Sequence, residues 1–203
     1  MRKNILGSIH VVCGPMFSGK TEELIRRIRR AVYGNKKILV FKHAFDDRYE
    51  KEFIVTHLGD KIDCKYVKHF SQMQEYIDDV VDSIFIDEIQ FFDKEIIILL
   101  MKLRDKGIEI VVAGLDLDFR GIPFGPIPEL LALADEVTKL KAVCFRTGKD
   151  AQYSQRLING SPAKHTDPII LVAASDCYEA RSREAFEIDY VPMKEYLKHK
   201  VSL

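Results

Sequence analysis

Residues 14–21 read Gly-Pro-Met-Phe-Ser-Gly-Lys-Thr, which fits GxxxxGK[ST] at every fixed position. A loop of this kind needs a strand before it and a helix after it, so it constrains the fold more than any other feature of the chain. Its glycines let the backbone curl until successive N–H groups face phosphate oxygens, Lys20 neutralises the terminal phosphates, and the Thr21 hydroxyl is placed for Mg²⁺. Both flanks comply. Ser8–Cys13 (SIHVVC) is short, apolar and β-branched, as a buried strand should be. Thr21–Tyr33 carries Leu24, Ile25, Ile28, Ala31 and Val32 at helical spacing, with Gly34 placed to close it.

The second half of a nucleotide site is an acid at the end of a neighbouring strand. Ser83-Ile-Phe-Ile-Asp87-Glu88 supplies it: Asp87 for Mg²⁺, and Glu88 near the γ-phosphate, where a carboxylate accepts a proton from an attacking hydroxyl or water. Strands are also expected at Lys37–Lys42 and Ile108–Leu115. Helices are expected from a capping box at Ser71, with Met73, Ile77, Val80 and Val81 on one face, and over Asp93–Lys106, closed by Gly107. Strands alternating with helices predict an α/β fold with a mainly parallel sheet covered on both faces. Beyond residue 140 the pattern changes to short extended pieces, Lys139–Phe145 and Pro168–Ala173, around a polar loop. The expected organisation is a P-loop core over 1–140, a small second domain over 141–192 and a tail over 193–203.

Lys+Arg and Asp+Glu both number 31, so no excess of positive charge marks a duplex-binding surface. The basic run Arg26-Arg27-Ile28-Arg29-Arg30 is interrupted by a core position and reads as a solvated or subunit-contact face. No run approaches the ~18 apolar residues of a membrane span. Cys13, Cys64, Cys144 and Cys177 form no CxxC pair and read as reduced cytoplasmic thiols. The six histidines share no ligand spacing.

Glu88 alone does not separate a kinase from an ATPase. Asp118-Phe-Arg-Gly121 satisfies a short DxxG pattern, but no [NT]KxD guanine-reading motif accompanies it, which leaves a GTPase weakly supported. Phe91 and Phe92 after the acidic pair, and Phe119 and Phe124 around a Gly/Pro-rich turn, suit the walls of a pocket for a flat base or sugar. For any single one of them, an ordinary core residue is the better reading. Asp46-Asp47-Arg48-Tyr49 offers an acid for Mg²⁺ and an arginine for transition-state charge.

GPMFSGKT, DDRY, DEIQFF, GLDLDFRGIPFG, AVC, YSQRL and YEARSREAF follow one another in the order seen in thymidine kinases of the zinc-ribbon (type II, cytosolic) family. The chain resembles that family over roughly residues 8–190. The resemblance implies a RecA-like P-loop core with a small "lasso" domain, and transfer of the ATP γ-phosphate to the 5′-hydroxyl of thymidine (with deoxyuridine a second acceptor) in nucleotide salvage for DNA synthesis. It further implies a cytoplasmic homotetramer subject to dTTP feedback, with no nucleic-acid or membrane partner. By position, Glu88, Arg48 and Lys20 are the catalytic set; Gly14, Pro15, Met16, Phe17, Ser18, Gly19, Lys20, Thr21 and Asp87 hold ATP; Thr21, Asp46 and Asp87 hold magnesium. Met16, Phe91, Leu115, Phe119, Phe124 and Tyr178 would line the nucleoside pocket, with main-chain groups around Leu171 and Ala173 reading the base.

The family's four zinc cysteines fall on Cys144, Thr147, Ser182 and Ala185. Three thiolates are missing, so the expectation is that zinc is absent and that Cys144, Phe145, Ala185 and Phe186 hold the lasso by packing. A water-activating ATPase, and a nucleotide-binding regulator without turnover, stand as the alternatives; the intact Glu88, Arg48 and Lys20 weigh against the second.

Overall fold

The computed structural model describes residues 6–44, 53–55, 61–169, 178–189 and 197. Contacts group the chain into two compact units: residues 1–13, 19–114 and 125–139, and residues 14–18, 115–124 and 140–203.

The first unit is built on six strands: β1 (Ser8–Cys13), β2 (Ile38–His43), β5 (Lys65–Val67), β6 (Ser83–Asp87), β7 (Glu109–Gly114) and β8 (Glu136–Lys139). Their order is β5-β2-β6-β7-β1-β8, and every pairing is parallel. A small antiparallel hairpin, β3 (Phe53–Val55) with β4 (Lys61–Asp63), stands apart from this sheet. All five residues of β6 are buried, and Ile84-Phe85-Ile86 at its centre is the apolar run of a central parallel strand. On one face Ile9, Val11, Ile84, Ile86, Ile110 and Val112 pack with Ile96, Leu99, Leu100 and Leu103 of helix α2 (Ile96–Asp105) and Ile127 and Leu130 of α3 (Ile127–Leu133). The alternate residues Val12, Phe85 and Val111 point to the other face. There helix α1 (Lys20–Tyr33) buries Leu24, Ile25, Ile28 and Ala31. Because the strands are parallel, β1, β6 and β7 all deliver their carboxyl ends to one edge of the sheet, where open α/β folds bind ligands.

Helix α1 ends at Tyr33 with Gly34 as its C-cap, as its sequence suggests, but Gly34 has φ −81° and the left-handed residue is Asn35 at φ 54°. Asn35 N–H donates to the Val32 carbonyl (2.9 Å) and Lys36 N–H to that of Ala31 (3.0 Å), a Schellman closure shifted one residue along. The expected helix at Ser71 is instead a short 3-10 segment, Phe70–Tyr76, whose N-cap is His69 with Gln72 completing the box. Asp78 stops its extension: its carboxylate accepts from Val80 N–H at 3.0 Å. Local side-chain bonds of this kind compete with helix, and Val80 is left exposed while Met73 is buried. Helix α2 starts three residues later than its apolar pattern suggests, and Gly107 closes it at φ 85°.

The basic run on α1 is partly neutralised. Arg26 and Arg27 both bond Glu23, and Arg27 also reaches Glu136 (2.9 Å) and Thr138 (2.8 Å).

In the second unit, β9 (Ala142–Val143) pairs with β10 (Asp150–Ala151), and β11 (Tyr153–Ile158) is flanked by β12 (Ser161–Pro162) and β13 (Tyr178–Arg181). Tyr153 and Phe186 stack at 4.4 Å.

Candidate active site

β1 runs into the phosphate-type loop through Gly14, whose φ of 146° and close approach to the Leu140 carbonyl (2.5 Å from where a Cβ would stand) admit only glycine. Ser18 Oγ donates to the Pro15 carbonyl at 2.8 Å, and Met16 N–H donates to Ser154 Oγ at 2.9 Å. Phe17 sits at φ 64° with its ring largely exposed. Gly19, at φ 83°, precedes α1 and supplies no side-chain cap to the helix's first N–H groups. Lys20 and Thr21 are the first two residues of that helix, at the end where the helix dipole favours an anion.

At the carboxyl end of β6, Asp87 is almost fully buried. Its Oδ1 accepts from the Glu88 N–H at 3.0 Å; its Oδ2 has no hydrogen bond among the described residues, and Lys42 Nζ stands 3.7 Å away. Burial, and then the Glu88 charge, push the Asp87 carboxyl up to about 6 against the pull of Lys42 and Lys20. Burial alone would lower the Lys42 amine, but Asp87 and Glu88 outweigh it and hold it above the ordinary lysine range. A buried carboxylate oxygen without a donor, beside a lysine that offsets its charge, suits a divalent cation or its water.

Glu88 is one of four non-glycine residues with positive φ among those described (57°, ψ 39°). Such strain concentrates where a side chain must be aimed. Its Oε2 accepts from Gln90 Nε2 at 2.6 Å. Phe91 ends the 3-10 turn Ile89–Phe91, its ring 5.8 Å from that of His43.

The second unit holds most of the remaining aromatic candidates. Leu115, just beyond β7, is half-buried. Asp118 organises the following loop: its Oδ1 accepts from the N–H groups of Arg120 (2.8 Å) and Ile122 (3.1 Å), and its Oδ2 from Arg120 Nε (2.9 Å). The DxxG pattern is thereby accounted for as a self-bonded turn. Phe119 is buried with the Arg156 guanidinium 3.6 Å from its ring centre, and Phe124 N–H donates to the Asp116 carbonyl at 3.1 Å. Tyr178 on β13 lies in register with Arg156 on β11. Asp46, Arg48, Leu171 and Ala173 lie outside the described residues.

A family model for thymidine kinase matches residues 7–186. The chain belongs to the thymidine kinase family. The activity is therefore that of an ATP:thymidine 5′-phosphotransferase in nucleotide salvage, using ATP with a divalent metal. No described helix of this thymidine kinase is long and apolar enough to cross a membrane.

Cys144, Thr147, Ser182 and Ala185 lie close together. Thr147 Oγ1 and Ser182 Oγ stand 3.3 Å apart, and Ala185 packs with Cys144, Ala142, Ala151 and Ala180. Burial works against ionising the Cys144 thiol, but hydrogen bonds from Thr147 and Ser182 outweigh it and bring it down to about 6. Phe145, expected in this packing, is exposed; Phe186 instead stacks on Tyr153. Among the described residues no three of His, Cys, Asp and Glu gather as a metal-holding group.

Sequence reasoning missed two participants: Lys42 lies within a strand, and Gln90 inside a motif read for its acids and aromatics. Arg156, in the YSQRL motif, is fully buried, which no local pattern announces for an arginine.

Proposed function

We propose that this thymidine kinase works with Glu88 as general base, taking the proton of the thymidine 5′-hydroxyl as that oxygen attacks the γ-phosphorus and ADP leaves. Lys20 and Arg48 stabilise the phosphoryl charge in flight. The observation that carries the reading is Glu88 itself: a strained, half-buried carboxylate at the end of β6, next to the buried Asp87 whose Oδ2 has no hydrogen bond among the described residues. The loop from Gly14 to Thr21 cradles the ATP phosphates; Thr21, Asp46 and Asp87 form the magnesium set. Magnesium, when bound, neutralises charge on the β- and γ-phosphate oxygens. Met16, Phe91, Leu115, Phe119, Phe124 and Tyr178 line the nucleoside pocket, and Leu171 and Ala173 contribute main-chain groups to base reading.

The core over 1–140 and the lasso over 141–192 act as separate domains, and the lasso folds without zinc. Hydrogen bonds among Cys144, Thr147 and Ser182 support that reading. The enzyme is a cytoplasmic homotetramer inhibited by dTTP.

The test follows ADP release from Mg·ATP, alone and with thymidine, deoxyuridine, deoxycytidine or deoxyguanosine. Turnover started by thymidine, or by thymidine and deoxyuridine, and lost in Glu88→Gln, is the expected result. Equal ADP release without nucleoside would overturn the acceptor, and full turnover in Glu88→Gln would overturn the base. Stoichiometric zinc by elemental analysis would overturn the metal-free lasso.

A further inference from the structure

Gln90 is nearly fully buried two residues beyond the proposed base, and its amide donates to the Glu88 carboxylate at 2.6 Å. Two glycines make room for it. A Cβ at Gly114, the last residue of β7, would stand 2.5 Å from Gln90 Oε1 and 2.7 Å from Ile89 Cγ2. A Cβ at Gly125 would overlap the Gln90 carbonyl oxygen, and Gly125 is itself at φ 54°. The side chain is thus seated from one side by the end of β7 and the backbone from the other by the turn before α3. Glutamate has three freely rotating side-chain bonds, so its left-handed backbone aims the Cα–Cβ bond but leaves the carboxylate free to swing.

We propose that Gln90 is the positioning residue that holds the Glu88 carboxylate in its proton-accepting orientation, seated in a slot made by Gly114 and Gly125. The inference rests on the reading of Glu88 as the base. A neutral amide suits this role, because it donates to an ionised carboxylate without supplying a counter-charge that would pair it off.

The test uses the full chain with Mg·ATP and thymidine. Gln90→Met keeps most of the volume and removes the donor. Turnover (kcat) is expected to fall about 10- to 100-fold, the cost of losing one hydrogen bond to a charged group, with both KM values within about threefold of wild type. Gly114→Ala is expected to lower kcat by displacing the amide, and the double variant to be no worse than the poorer single one. Should Gln90→Met fail to fold, Gln90→Asn, too short to reach Glu88 but still polar, carries the same expectation. Turnover within threefold of wild type in a folded variant, a loss confined to KM, or additive effects of Gly114→Ala and Gln90→Met would each overturn the proposal. If Glu88→Gln retains full turnover, the reading of Glu88 fails; if Glu88→Gln is dead while Gln90→Met is fully active, the positioning role alone fails.

Discussion

Replacing Arg156 separates what a buried charge costs from what its bulk contributes. The side chain has no exposed surface, and its Nη1 donates to the Pro168 carbonyl at 2.6 Å while its Cζ lies 3.6 Å from the Phe119 ring centre. Nε and Nη2 have no hydrogen-bond partner among the described residues. Arg156→Met loses a charge-assisted hydrogen bond of about 1.5–3 kcal/mol and a desolvated cation–ring contact of about 1–2 kcal/mol. It recovers the burial cost of two nitrogens without a partner among the described residues, about 1–3 kcal/mol each, and part of the desolvation of the charge. These contributions nearly cancel, so Arg156→Met should be as stable as wild type or slightly more so. Arg156→Ala suffers the same losses and leaves a cavity as well, placing it about 2–5 kcal/mol below the methionine variant. In a chain of this length that is roughly 5–15 °C in melting temperature. Urea titration and thermal melts of the three proteins provide the comparison. A methionine variant destabilised by more than about 2 kcal/mol would refute the reasoning, since the two nitrogens would then have to be satisfied in the wild-type protein.

Cys144, brought from its ordinary 9.0 down to about 6, binds fewer protons folded than unfolded between those values. Stability should therefore rise with pH across that window and be lost as pH falls through about 6; melts of wild type and Cys144→Ala across that range should diverge there, and parallel curves would refute it. Asn35, left-handed at the end of α1, should change by less than about 1 kcal/mol as Asn35→Gly, relief of the left-handed strain opposing the added unfolded-state freedom, and lose about 1–2 kcal/mol as Asn35→Val. Equal melting temperatures for those two variants would show that the residue does not carry the turn.

Short-range rules hold in this chain wherever the chemistry is local. The strand Ser8–Cys13, the helix after it and the strand ending at Asp87 are all legible, because a phosphate loop requires its flanks and apolar periodicity names the face. They fail where two local signals compete. Gly34 caps α1 as its position suggests, yet the left-handed conformation a glycine would take falls on Asn35, which also tolerates it. The Ser71 segment has the apolar spacing of a helix, but Asp78 bonds a neighbouring backbone N–H and ends it early.

The residues themselves specify a nucleotide-binding α/β protein and its two central acids, since a GxxxxGKT loop and a strand-end Asp-Glu have few other uses. Only the tertiary structure decides how the acids are surrounded: which oxygen of Asp87 lacks a hydrogen bond among the described residues, which amide bonds Glu88, and which arginine is stacked on Phe119. Those contacts join residues on different elements or depend on burial. Burial sets whether a polar group is hydrated or must find a partner, and no property of the chain written as a line carries that information.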